Sequence, residues 1–205
     1  GFGNRGPNEL AFDMRGSIKG ASFDAFSGYT SFTNLLYSEL NEQIEAELAQ
    51  VHFSQTQDDS FIQLSSPLFD FNLAGRIDYE LIANDLLHHL ATIYPELKKN
   101  VSEVKQSNAD FTFDLQFRNA KPLLDIFLPD VMIGSGTHIT GLFNSKEEDL
   151  SFEISSPKLK IQDFTLEQIK FDQQITKDHT YGQMDIGLLV YDDSTSFHDL
   201  KFLNS

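Results

Sequence analysis

Apolar and polar residues alternate with period two along most of the chain. The clearest run covers 110–119, where Phe111, Phe113, Leu115 and Phe117 alternate with Thr112, Asp114, Gln116 and Arg118. Successive side chains of a strand point to opposite faces, so the four apolar groups share one face and the four polar groups the other. Leu150, Phe152 and Ile154 alternate with Ser151, Glu153 and Ser155. The pattern continues at Ile169 and Phe171 and at Met184, Ile186, Leu188 and Val190. Ile62 and Leu64 belong to one earlier run, and Phe69, Phe71 and Leu73 to the next. Polar turn signals at 57–60, 144–149, 177–179 and 192–194 separate the runs. Strands bounded in this way, at a spacing of about 8–12 residues, predict antiparallel meanders.

The period changes over about 79–94. Asp78 can cap a helix there, and Ile82, Ala83, Leu86, Leu87, Leu90, Ile93, Tyr94 and Leu97 form one apolar stripe. Pro95 kinks or ends it, and Lys98 and Lys99 lie where cations favour a helix C-terminus. A short helix is expected at about 122–128, with Pro122 at its first position and Pro129 as the stop. Residues 38–50 are ambiguous. Their Glu, Gln, Ala and Leu content favours a helix, yet Ile44, Ala46 and Leu48 alternate, as do Val51 and Phe53. The strand-like flanks and the turn at 57–59 weigh towards a strand.

An internal repeat supports a sheet. Residues 59–71 overlay 149–161 at a fixed offset of 90, with matches in kind at eight of thirteen positions, including Ile62/Phe152, Leu64/Ile154 and Ser65-Ser66-Pro67/Ser155-Ser156-Pro157. The apolar phase is even before each Ser-Ser-Pro and odd after it, so the Pro marks a bend or bulge that re-aims the apolar face. A shorter echo joins Ile18-Lys-Gly20, Leu73-Ala-Gly75 and Ile139-Thr-Gly141. The fold expected is mainly β: an elongated antiparallel sheet curled into a trough or roll, with the two helices at about 79–94 and 122–128. Residues 1–8 read as a flexible terminus or tag remnant. Residues 9–205 read as a single repeat-containing β domain and a fragment of a longer chain.

Composition narrows the function. The chain has 205 residues, with 15 Lys and Arg against 31 Asp and Glu, a formal charge of −16, 19 Phe, no Cys and no Trp. Nucleic-acid binding needs a basic face, which this balance opposes. Without Cys there is no disulfide scaffold, thiolate metal site or thiol nucleophile. No apolar run approaches the ~20 residues of a membrane-spanning helix. The six His are scattered and lack the i, i+4 partners of a zinc site. Gly134-Ser-Gly136 lacks the third Gly of a phosphate loop, and the paired acids Asp58/Asp59, Glu147/Glu148 and Asp192/Asp193 fall in turns. No catalytic, metal or cofactor site is nominated, and no enzyme is expected. The Phe-rich face remains: it is either a dry core or a groove for apolar chains.

Three stretches carry a family resemblance. One is the strand at 108–119 running into Lys121-Pro-Leu-Leu-Asp-Ile-Phe-Leu-Pro129. The second is Gly136-Thr-His-Ile-Thr-Gly141-Leu-Phe-Asn144, an acidic turn, and Leu150-Ser-Phe-Glu-Ile-Ser-Ser-Pro157. The third is Leu64-Ser-Ser-Pro-Leu-Phe-Asp-Phe-Asn-Leu-Ala-Gly75-Arg-Ile, with an echo at 18–28. Together they resemble TamB-like translocation/assembly module proteins of the Bacteroidetes type, in the AsmA-like superfamily. The resemblance covers most of 10–175 and implies a periplasmic, non-enzymatic module of a protein anchored in the inner membrane. It implies a β trough with an apolar interior, phospholipid acyl chains as cargo and an outer-membrane barrel assembly protein as partner. The roles it implies are phospholipid transport and outer-membrane protein assembly.

Two functions follow as expectations. In the first, Phe111, Phe113, Leu115, Phe117, Phe152 and Ile154 line a groove for acyl chains. In the second, the chain is a closed β module that docks a partner through a sheet edge.

Overall fold

The computed structural model describes residues 8–22, 25–39, 42–56, 59–77, 87, 91, 107–192 and 195–204. They form twelve strands: β1 (Asn8–Ser22), β2 (Ala25–Glu39), β3 (Glu42–Gln55), β4 (Ser60–Ser65), β5 (Phe69–Arg76), β6 (Asp110–Phe117), β7 (Val131–Ile133), β8 (His138–Asn144), β9 (Asp149–Ile161), β10 (Phe164–Ile175), β11 (Thr180–Asp192) and β12 (Thr195–Asn204). One short helix, α1 (Lys121–Phe127), separates β6 from β7. All strands join one antiparallel sheet in the order β1-β2-β3-β4-β5-β6-β8-β9-β10-β11-β12, with β7 paired to the far end of β9. The fold is therefore mainly β, as the alternation predicts.

Two expectations need correction. The sheet is open, because β1 and β12 each have a single neighbour, so a closed module is not formed. The long helix expected at about 79–94 lies outside the described residues, Leu87 and Ala91 excepted. The described elements include one helix, so the expectation of two is not met. Residues 38–50 contribute the end of β2 and most of β3, which pairs with β2 on one side and β4 on the other. The β2 ladder runs the length of β3, whereas β4 pairs only with residues 50–55, so over 42–49 the single β2 ladder overrides the helix propensity of the residues.

One row of register runs unbroken from β3 to β12. Val51 faces Leu64, Leu64 faces Phe71, Phe71 faces Leu115, and Leu115 faces Ile139. Ile139 faces Ile154, Ile154 faces Phe171, Phe171 faces Met184, and Met184 faces Phe202. One apolar row thus crosses nine strands. The repeat at offset 90 is a consequence of this geometry: Leu64 and Ile154 occupy the same row, and so do Ile62 and Phe152. The glycine echo is partly positional as well. Gly20 and Gly75 share a row, have φ of 150° and 128°, and face Phe26 and Phe111. A Cβ on Gly75 would lie 2.3 Å from the Asp110 carbonyl oxygen, so the backbone there is closed to any side chain.

A line of irregular residues crosses the sheet three residues beyond this row. Pro67 and Leu68 form the β4–β5 turn on it, where Ser66 Oγ donates to the Phe69 carbonyl at 2.8 Å. The Leu68 carbonyl accepts from the amides of Arg118 and Asn119, both at 2.9 Å, as β6 ends. Further along come Gly136 (φ 84°), Pro157, Gln168 (φ 55°), Gly187 and Asp199 (φ 52°). Pro157 and Gln168 stand opposite each other where the β9–β10 pairing skips one pair, and Gln168 and Gly187 do so in β10–β11. The parity of the apolar residues inverts at this line: Ile169 and Phe171 against Leu166 and Phe164, Ile186 and Met184 against Leu189 and Tyr191. In β10 and β12 the change of parity coincides with a residue outside the β region, Gln168 and Asp199, which breaks the strict two-residue alternation. Both Ser-Ser-Pro stretches lie on this line. In the first copy the chain turns back at the Pro; in the second it runs on through it.

Beyond the line the central strands are missing, and α1 stands in their place between β3 and β7. Leu68 is buried there with Tyr37, Phe69 and Leu123 packed against it. At the break between β7 and β8, the Thr137 and Ser156 hydroxyls lie 2.7 Å apart in a buried site and tie the loop to β9.

The left-handed residues provide a stability test. A β-branched side chain tolerates φ near +55° poorly, so Gln168→Val should lower stability by about 1–2 kcal/mol, read as a lower urea midpoint. Gln168→Gly should stay within about 0.5 kcal/mol of the wild type, because relief of strain offsets its added unfolded-state entropy. Equal midpoints for wild type and the Val variant would show that the line is not held in this conformation.

Candidate functional site

The site is built from parity. On β6, Phe111, Phe113, Leu115 and Phe117 occupy every second position and share one face. Their cross-strand partners on β8 and β9 bring in Phe143, Gly141, Ile139, Leu150, Phe152 and Ile154. The six residues expected at the groove therefore lie together on one face. Extending the same parity from β3 through β11, over the rows between Ser60 and Ser66 of β4, meets no ionisable side chain. Over these rows the charged residues lie on the opposite face. There Glu153 faces Asp172 directly, and His138 Nε2 lies 2.7 Å from Asp114 Oδ2.

Burial is graded along this apolar face. One end is a closed core: Phe111 is 5 % exposed, Phe143 0 %, Leu150 4 % and Ile175 1 %. The rings of Phe111 and Phe143 pack at a tilt of 44° with centroids 5.4 Å apart. Ser145 closes the same end, its hydroxyl donating to the carbonyls of Ser107 and Ala109 at 2.8 and 3.2 Å. Of the six expected groove residues, Phe111 thus belongs to this core. Phe113 and Phe152 pack against it and are half-buried. Leu115, Ile154 and Phe117 are also half-buried.

The long row behaves differently from the core. Val51, Leu64, Phe71, Leu115, Ile139, Ile154, Phe171 and Met184 are all half-buried, and Phe202 at its end is 53 % exposed. A row of eight consecutive half-buried apolar residues is neither a dry interior nor an ordinary solvated face. With strands about 4.8 Å apart, it runs roughly 40 Å across the sheet. Sequence reasoning singled out only Leu115 and Ile154 from it. Val51, Leu64, Phe71, Ile139, Phe171 and Met184 were each visible as members of alternating runs, but their alignment needed the register.

Two glycines shape the face. Gly141 lies between Phe113 and Phe152 in one row, and a Cβ there would come within 2.4 Å of Phe113 Cζ and 2.5 Å of the Ser151 carbonyl oxygen. The ring of Phe113 occupies the space that a side chain at 141 would take. Gly182 gives its space to Gln173, whose Nε2 donates to the Tyr181 carbonyl at 2.6 Å. The Nε2 group of this buried amide, the one polar side chain in its row from β3 to β11, is satisfied by backbone.

A shallow hollow of about 600 Å³ opens on the opposite face, lined among others by Asn72, Thr112, Asp114, Thr140, Glu153 and Asp172. Its lining mixes these polar groups with Ala74, Leu142, Phe113 and Phe152, and none of the long row's residues is among them. Gly134-Ser-Gly136 is the turn between β7 and β8, with the Gly134 amide donating to the Lys158 carbonyl at 2.7 Å. No group of three or more metal-ligating side chains is found among the described residues, and no helix among them is long and apolar enough to cross a membrane.

The burial gradient sets up a comparison of two truncations. Phe143→Ala should cost about 3–5 kcal/mol, as for a fully enclosed aromatic. Leu115→Ala, at a half-buried position, should cost less than about 2 kcal/mol. Urea denaturation measures both, and a loss at Leu115 as large as a full core truncation would make the long row a dry interior. Gly141→Ala should destabilise by about 1–3 kcal/mol through overpacking against Phe113. Comparison with family models, curated proteins and solved structures returns no match, so the apolar face is characterised by its geometry alone.

Proposed function

We propose that the chain is a non-enzymatic module that holds apolar chains, in particular phospholipid acyl chains, along the half-buried row of its sheet. The observation that supports this reading is the row itself: charge-free, continuous over nine strands and less enclosed than the core beside it. Each acyl methylene transferred from water to such a surface contributes about 0.8 kcal/mol, so a short contact suffices for binding. The carboxylates, held in turns and on the opposite face, keep the exterior solvated.

The same reading, joined to the resemblance to TamB-like proteins, makes the chain a periplasmic part of an envelope protein anchored in the inner membrane. It would serve phospholipid transport, outer-membrane protein assembly or both, beside an outer-membrane barrel partner. A second reading is favoured by the outer strands β1 and β12, each of which has a single neighbour among the described residues. In it, the open sheet docks a partner strand through an edge.

The absence of Trp makes the first reading simple to test. Leu115→Trp places a single fluorophore on the row, and Thr140→Trp places one on the opposite face. Short-chain phosphatidylcholine below its micelle concentration should shift the Leu115→Trp emission to shorter wavelength and protect it from acrylamide. The Thr140→Trp emission should not respond. An unresponsive Leu115→Trp protein, or equal responses from both, would count against a lipid-holding row.

A further inference from the structure

An unpartnered carbonyl lies on the apolar side of the sheet. Gln173 stands between Phe152 of β9 and Gly182 of β11 in the register, and it shares its side of β10 with Phe171 and Ile175. The residue is 7 % exposed. Its Nε2 donates to the carbonyls of Tyr181 and Gln174, at 2.6 and 3.3 Å. Two carbonyl partners fix which end of the amide is the nitrogen. The Oε1 atom accepts from no described residue. An enclosed acceptor left unpaired is unfavourable, and a donor on a ligand would relieve it.

The surroundings of this carbonyl are polar but uncharged. A Cβ at Gly182 would lie 2.7 Å from Gln173 Oε1, so a side chain there would press on the amide. Thr180 faces Ile175 in the next row, and Asn204 faces Gly182. Gln173, Thr180 and Asn204 thus form a corner beside Phe171, Met184 and Phe202 of the long row. Each of the three offers an oxygen acceptor. No Lys or Arg stands on this side of the sheet over these rows, so the corner holds no cation for a phosphate.

We propose that this corner receives the polar end of a lipid whose acyl chains lie along the row, and that it selects a primary ammonium of the ethanolamine type over its fully methylated counterpart. The proposal rests on the lipid-holding reading above and names the lipid class held. An alkylammonium carries three N–H donors and no acceptor, which matches a corner with a free acceptor. Hydrogen bonds from an ionised donor are the stronger kind. The chain's total charge of −16 also draws a cationic end towards the protein. A trimethylammonium group carries the same charge without an N–H, so it leaves the Gln173 carbonyl unpaired.

The Leu115→Trp protein reads occupation of the row. Three short-chain lipids of equal acyl length are titrated into it below their micelle concentrations: phosphatidylethanolamine, its N,N-dimethyl form and phosphatidylcholine. All three are zwitterionic at neutral pH, so net charge drops out of the comparison. The dimethyl lipid keeps one N–H and nearly the bulk of choline, which separates hydrogen bonding from size. The ethanolamine and dimethyl lipids should bind about tenfold more tightly than the choline lipid, the effect of one hydrogen bond from a charged donor. Gln173→Met, placed in the same protein, keeps the side-chain length without the acceptor and should bring the three affinities together. Where that variant does not fold, the methylation series decides by itself. Equal affinities for the three lipids would overturn the selection and leave the lipid-holding row standing. An affinity that falls with each added methyl would assign the difference to size and overturn it as well. Selection that persists in a folded Gln173→Met variant would move the acceptor away from Gln173 and overturn the assignment. No response to any of the three lipids would remove both the selection and the row reading.

Discussion

Everything in this sheet depends on a single continuous register. Antiparallel hydrogen bonding fixes which residue faces which, and the pleat then fixes the side of the sheet on which each side chain stands. A slip of one residue in any hairpin would carry charged side chains such as Asp114 or Asp172 on to the apolar side and strand phenylalanines in water. Burying an unpaired carboxylate is costly enough to make such slips rare. The charge that dominates the composition therefore acts on the fold mainly as a registration constraint. It enforces the face on which the phenylalanines collect.

Much of this was legible in the residues. The strands at 110–117 and 149–161 and the short helix after Lys121 all follow from local patterns. So does the Ser-Ser-Pro irregularity, because Pro cannot donate to a ladder and a change of apolar parity needs a break in the pleat. The strand at 42–55 has a helix-favouring composition, and no single-residue propensity records the neighbouring strand β2 that pairs along its whole length. Other features were out of reach for a physical reason: they are relations between distant residues. Val51 and Phe202 lie in one row only because eight successive pairings place them there. Likewise, the sequence marks Phe111 and Leu115 as equivalent members of an alternating run. Only the closing of one end by Ser145, Ala109 and Phe143 makes the first a core residue and leaves the second half-covered.

The face and the edges answer different physical demands. An apolar face without charge is a surface for which aliphatic chains compete with water, and its affinity grows with contact length. An open edge offers backbone donors and acceptors, and its selectivity comes from the spacing of side chains along the strand. In this sheet the two coincide at β12, where the apolar row ends on Phe202. Whatever pairs with that strand also decides whether the row stops there or continues.

The line through Pro157, Gln168, Gly187 and Asp199 has an evolutionary consequence. It divides each long strand into two segments of opposite parity, so an insertion or deletion is judged by where it falls. Within a segment, loss of one residue turns a half-strand inside out and loss of two merely shifts it. At the line itself, loss of the irregular residue would restore simple alternation with the apolar residues of both segments at one parity, so there alone a single deletion keeps the apolar side. The chain can therefore vary freely in its turns while length changes inside its strands are filtered in pairs, and the drift of such a sheet should be written in its hairpins.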